Sequence, residues 1–276
     1  MKYTLENLFG ISGEVFVVSG GTGTIGLELC RGLVSLGAKV GILGIFEKDC
    51  AAAVEKLKEE FPEAGAVAFQ ADVTDEDAVN AAVDRIYETF GRIDGLINCA
   101  GINIIDSLAH ITMKEFNRVM DVNFTGTVIC CKSVGRYLLK AKKGRVVNIS
   151  SLSATQGKAY YTAYASSKAA INSFTRALSI EWAKKGINVN AICPSLIVTD
   201  INRRQLEENP DSFAKRVESI PRGVPGRTEW LVGPVVSLLS PGSIHLTGQA
   251  IYVDGGSSAG STFVLEKDRF EKEDPS

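Results

Sequence analysis

Val15-Phe16-Val17-Val18-Ser19-Gly20-Gly21-Thr22-Gly23-Thr24-Ile25-Gly26 runs from four apolar residues through a glycine-rich turn into a longer amphipathic segment at 25–36. A short apolar run followed by a helical pattern reads as strand, turn and helix. Gly21, Gly23 and Gly26 carry the G-x-G-x-x-G spacing. A turn without side chains lets a pyrophosphate approach the backbone, and the helix behind it offers unpaired N–H groups and its positive end. Dinucleotide binding follows from that context; a glycine turn of any αβ protein is the plainer alternative.

The alternation continues outward. Strands are expected at 15–18, 40–43, 66–70, 95–98, 145–149, 188–192 and 250–253. Helices are expected at 25–36, 50–60, 75–90, about 115–122, 127–141, 164–184 and 228–239, with Pro234 inside the last of them. Strands separated by helices run parallel, because right-handed crossovers pack each helix back on the sheet. The expected fold is therefore α/β, a doubly wound parallel seven-stranded sheet with helices on both faces, a Rossmann fold in one domain spanning 1–276. Thr112 with Glu115, and Thr74 with Asp77, have the spacing of helix N-caps. The polar stretch 199–226, with Pro210, Pro221 and Pro225, reads as a substrate lid. The charged tail 266–276 reads as frayed.

Composition narrows the function. The 276 residues carry 30 Lys+Arg against 32 Asp+Glu, a net charge of -2, so no basic field collects nucleic acid or anionic membrane and a small-molecule substrate is favoured. Cys30, Cys50, Cys99, Cys130, Cys131 and Cys193 form no C-x-x-C pair, and His110 and His245 are the sole histidines, so no metal site is expected. Residues 1–13 lack the apolar core of a signal peptide and no stretch reads as a membrane span, so a cytoplasmic location with reduced thiols is expected. His110 and His245 read as structural or surface groups, and the Cys130-Cys131 pair as helix packing.

Tyr164-Ala-Ser-Ser-Lys168 sets a phenol and an ammonium four residues apart on one helix face, where the cation favours the phenolate. A free tyrosine ionises near pH ~10, so a neighbouring positive charge would bring it within range of proton transfer.

In these motifs the chain resembles the short-chain dehydrogenase/reductase family over about residues 12–256. The resemblance is carried by the turn Ser19 to Gly26, Asp72-Val73 after the third strand and Asn98-Cys99-Ala100-Gly101 after the fourth. It continues in Asn123 in the fifth helical region, Ser151 ahead of Tyr164 and Lys168, and residues 194–199 after the sixth strand. It implies a sugar, polyol or aldonic acid oxidoreductase, moving a hydride between nicotinamide and a secondary alcohol or ketone. By that resemblance Tyr164 is the general acid/base, Lys168 holds the nicotinamide ribose and lowers the phenol, Ser151 bonds the carbonyl, and Asn123 holds a water that relays protons to Lys168. Gly20, Thr22, Thr24, Ile25, Gly26, Asp72, Val73, Asn98, Ala100, Pro194, Ile197 and Thr199 would bind the cofactor together with Tyr164 and Lys168, Asp72 on the adenine and Ile197 and Thr199 on the carboxamide. A homotetramer, built through helices 127–141 and 164–184 and the last strand, is also implied.

Thr24, Ser19 and Ser195 depart from the family pattern, which puts the cofactor contacts there in question. The second strand ends Leu43-Gly44-Ile45-Phe46, with neither an acid for a ribose 2′-hydroxyl nor an arginine for a 2′-phosphate. A phosphate buried without a partner is the costlier omission, so NAD is expected over NADP. Arg203 and Arg204 could meet an anionic substrate, or stand exposed on a charged loop. Two other readings compete. One is reduction of 3-oxoacyl thioesters, which arginines gathered at the site mouth would support. The other is a nucleotide-sensing binding protein without chemistry.

Overall fold

The computed structural model describes residues 3–199 and 207–260, so Arg203, Arg204 and the tail at 266–276 lie outside the described residues. Seven parallel strands form one sheet in the order β3-β2-β1-β4-β5-β6-β7. They are β1 (Val15–Ser19), β2 (Lys39–Gly44), β3 (Ala66–Gln70), β4 (Gly95–Asn98), β5 (Gly144–Ile149), β6 (Ile187–Pro194) and β7 (Ala250–Val253). Among the described residues the α-helices are α1 (Leu5–Phe9), α2 (Thr24–Ser35), α3 (Glu47–Glu60), α4 (Glu76–Phe90), α5 (Met113–Met120), α6 (Gly126–Ala141), α7 (Thr162–Ala183), α8 (Pro210–Glu218) and α9 (Val232–Leu238).

Side chains alternate across a strand, so β1 feeds two cores. Phe16 and Val18 pack with Leu29 and Leu33 of α2, Leu57 of α3 and Val235 of α9. Val15 and Val17 face the other way, among Val83 and Ile86 of α4, Val134 and Leu138 of α6 and Trp182 of α7. Both faces of the sheet are therefore covered by helices, as parallel strands require.

Sequence order reverses on either side of β1: β2 lies to one side and β4 to the other. Chain ends splay apart at such a switch point and leave a crevice beyond the carboxyl ends of the strands. Register aligns those ends, with Ser19 opposite Asn98 and Asn98 opposite Asn148. A polar row crosses the sheet there. Asn98 Nδ2 donates to Asn148 Oδ1 at 2.9 Å, and Asn148 Nδ2 donates to Thr175 Oγ1 of α7 at 2.8 Å.

Several local expectations change. The Thr112–Glu115 capping box is complete, but Asp75, not Thr74, caps α4, its carboxylate accepting from the N–H groups of Asp77 and Ala78. Thr74 is occupied by Asp72 Oδ1, which accepts from both its N–H and its hydroxyl. The helix expected at 228–239 begins as a 3-10 turn, Thr228–Leu231, and becomes α-helical at Val232. Pro234 then sits in the first turn of α9, where its missing N–H costs nothing. The stretch read as a lid contains α8.

Candidate active site

A cleft of about 1340 Å³ opens at the switch point. Its floor at one end is the glycine turn. Gly20 has φ 64°, and a Cβ there would stand 2.6 Å from Ala100 Cα. Nothing but Gly20 O, at 3.5 Å, approaches the Cβ position of Gly23, so the turn is tight underneath and open above. Helix α2 starts at this point with no side-chain cap and no acid in its first turn, leaving its amide dipoles available to an anion. These features fit the pyrophosphate of a dinucleotide. Gly20→Ala is expected to destabilise by about 1–3 kcal/mol through strained φ and overlap. Melting would fall by roughly 5 °C, and fluorescence titration would show dinucleotide affinity reduced at least about tenfold.

Gly20, Thr22, Thr24, Ile25, Gly26, Asp72, Val73, Ala100, Ser151, Tyr164, Lys168, Pro194, Ile197 and Thr199 all line this cleft. Asn98 and Asn123 do not; they stand behind it. Asn98 belongs to the polar row described above. Asn123 is fully buried in a π-helical turn, Asp121–Thr125, which joins α5 to α6 and which expected boundaries at 122 and 127 had left as a gap. Its Oδ1 accepts from Ile102 N at 2.8 Å, while Nδ2 donates to Ile102 O and to Ser167 Oγ. The widened turn points this amide at the loop after β4, a known use of π-bulges at functional sites. Asn123 has no direct bond to Lys168; the Cβ position of Gly101 lies between them, 3.3 Å from Asn123 Oδ1 and 3.7 Å from Lys168 Nζ.

Two bonds bring β5 and α7 together. Ser150 Oγ donates to Lys168 O, and Lys168 Nζ donates to Ile149 O at 2.7 Å. Ser151 then projects beside Tyr164, capping a 3-10 turn by accepting from Ser153 N. The ring of Tyr161 meets that of Tyr164 edge-on at 6.2 Å.

Burial shifts both members of this pair. Lys168 Nζ lies 5.6 Å from the Tyr164 ring centre and is turned to Ile149 O. Burial lowers the ammonium to about 8, against opposing effects of Cys99 and Cys193. Burial also raises the Tyr164 phenol, with a hydrogen-bond interaction from Ser151 pulling it back. Loss of water is the largest influence on each group.

His110 and His245 are exposed, and no cluster of metal-binding side chains occurs among the described residues. Cys130 and Cys131 are buried, and burial raises Cys130 to about 12 and Cys131 further. Inert packing groups behave so. Asn103, Lys158 and Arg216 also line the cleft; they come from three separate segments, and no local spacing marks them.

Residues 14–210 match the family model described as short chain dehydrogenase. A 5-keto-D-gluconate 5-reductase of Escherichia coli (strain K12) is 33% identical over 254 residues, covering 91% of this chain and 98% of its own. A 3-oxoacyl-(acyl-carrier-protein) reductase of Synechocystis is 32% identical over 248 residues, covering 89% and 97%. Among solved structures, a gluconate 5-dehydrogenase from Burkholderia cenocepacia in complex with NADP and tartrate superposes with a TM-score of 0.88 at 28% identity, covering 93% of this chain and 100% of that one.

Proposed function

The chain belongs to the short-chain dehydrogenase family, and from that premise we propose that it oxidises a secondary alcohol of a sugar, polyol or aldonic acid, or reduces the matching ketone, with NAD(P). The observation that carries this is the meeting of Ser151, Tyr164 and Lys168 in the same cleft as the glycine turn. A sensor without chemistry has no use for a desolvated phenol and amine beside the ligand.

The dinucleotide would lie from the turn at Gly20 to Lys168, with Asp72 and Val73 at the adenine and Pro194, Ile197 and Thr199 around the nicotinamide. Bound there, the nicotinamide supplies or accepts the hydride. Ser151 and Tyr164 hold the substrate oxygen, and the Tyr164 hydroxyl gives or takes its proton. Lys168 orients the ribose and, as an ammonium, opposes the upward push of burial on the phenol. Asn123, fixed by Ile102 and Ser167, holds the loop at Gly101 and a water that passes protons toward Lys168. NAD is favoured over NADP. Among the described residues the cleft has no cation around Leu43, Gly44 and Ile45, and Asp72 supplies a carboxylate. An acid at position 44 is excluded by packing, since a Cβ there would stand 2.7 Å from Thr22 Cγ2 and 2.8 Å from Cys50 Sγ.

Initial rates followed by reduced-cofactor absorbance, with both cofactors, across sugars, polyols, aldonates and 3-oxoacyl thioesters, test the reading. Silence on all of them would favour the sensor. Oxidation needs the phenolate, which burial holds scarce. Its rate should therefore climb with pH, by up to about tenfold per unit between about pH 6 and 9, while reduction stays level or falls. A flat oxidation profile that Tyr164→Phe also retains would exclude Tyr164 as the base.

The stretch 199–226 is proposed as a lid over the substrate. A homotetramer is proposed through α6, α7 and β7, supported by the exposure of Ile180 on α7, at 79%, and testable by light scattering. A cytoplasmic location is proposed on the placement of the six cysteines, none of which is paired with another and five of which are buried. No helix among the described residues is long and apolar enough to cross a membrane.

A further inference from the structure

Beyond Tyr164 the cleft is lined by cations from three segments: Lys114 and Arg118 on α5, Lys158 in the loop before α7, and Arg216 on α8. Its carboxylates, among the described residues, are Asp72, bonded to Thr74 at the adenine end, and Asp121 on the π turn. Lys158 is exposed on its loop and seated over an aromatic ring. Its ammonium lies 4.0 Å from the Tyr161 ring centre, and Tyr161 in turn contacts Tyr164. Two residues on, Tyr160 adopts φ 68°, a left-handed conformation that a bulky side chain rarely takes. Its carbonyl accepts from Asp106 N at 3.1 Å, which ties this loop to the loop carrying Asn103. Strain of that kind persists where the surroundings impose it. Desolvation and the charge of Arg216 lower Lys158 to about 8. Neither Lys158 nor Arg216 has a carboxylate partner among the described residues. In the same cleft, Asn103 Oδ1 is buried without a hydrogen-bond partner. A buried acceptor left open costs free energy until a donor reaches it.

We propose that Lys158 and Arg216 form an anion subsite at the substrate end of the cleft, which takes the carboxylate of a polyhydroxy acid while Asn103 Oδ1 accepts one of its hydroxyl protons. Two like charges facing one space repel until an anion enters between them, and a carboxylate relieves both. The inference rests on the sugar and polyol reading above, and it narrows that class to acids over neutral polyols.

Gluconate and glucitol, matched in length and hydroxyls, separate the two. Calorimetric titration into the cofactor-loaded enzyme should show gluconate binding at least about tenfold more tightly than glucitol. Lys158→Met and Arg216→Met should each remove most of that advantage, Lys158→Arg should keep it, and cofactor affinity should stay within about twofold in all three. Equal binding of the two compounds, or no binding of gluconate, overturns the subsite. So does loss of cofactor affinity in place of gluconate affinity, which would give the cations to the dinucleotide phosphates. Displacement of gluconate by a coenzyme A thioester in a manner dependent on Lys158 would assign them to a thioester instead. Turnover, measured alongside, addresses the reaction itself. Tight gluconate binding without turnover of either compound supports the subsite and counts against the reaction.

Discussion

Tyr164→Phe is expected to lower kcat by about a thousandfold, within the range of 10²–10⁴ that a positioned acid/base contributes, while leaving cofactor affinity nearly unchanged. The substitution removes one oxygen from a ring that otherwise keeps its place. Helix α7 still begins at Thr162, and the edge-on contact with Tyr161 does not involve the hydroxyl. What is lost is the group that moves the proton. Ser151 remains as a donor to the substrate oxygen, but a serine hydroxyl is far too weak an acid to replace a phenol. Steady-state rates and a fluorescence titration of the reduced cofactor separate the two effects. A variant keeping more than about a tenth of the rate would show that solvent or another side chain carries the proton.

That phenol could be singled out from sequence because its partner is close along the chain: four residues on a helix put Tyr164 and Lys168 on one face whatever the rest of the protein does. The fold was legible for a similar reason. Apolar runs between amphipathic ones force crossovers, and a turn such as Gly20 to Gly26 has meaning only between a strand and a helix. Contributions assembled across long separations were not legible. Lys158, Arg216 and Asn103 reach one cleft from two loops and helix α8, and nothing near any of them in the chain marks the convergence. The π turn at Asn123 escaped because its widening depends on bonds to Ile102 and Ser167. Asp75 displaced Thr74 as the cap of α4 because Asp72, placed by β3, takes the threonine first. Sequence spacing also says nothing of desolvation, which is the largest influence on both Tyr164 and Lys168.

Lys168→Met tests that balance and should separate activity from stability. The amine is 5% exposed, and burial holds it at about 8 against an ordinary value of 10.5. A base whose folded pKa is lowered binds its proton less well than the unfolded chain does. Below about pH 8 the wild-type fold therefore carries the full cost of the buried charge, roughly 3 kcal/mol. As pH rises from about 8 to 10.5 the unfolded chain still holds the proton that the fold has released, so stability rises across that window. Methionine abolishes this slope. The lost bond to Ile149 O counts separately, because that penalty is independent of pH and shifts the whole curve without tilting it. Lys158 is also lowered but is present in both proteins, and cancels in the difference. Denaturant unfolding of the two proteins from about pH 7 to 10 should show a rising curve for the wild type relative to the variant. Activity moves the other way: without the ammonium, ribose loses an anchor and the phenolate loses its nearest positive charge, so kcat/KM should fall by about 10²–10³. Parallel stability curves would mean that the amine is solvated in the fold. Full activity in the variant would remove Lys168 from the chemistry.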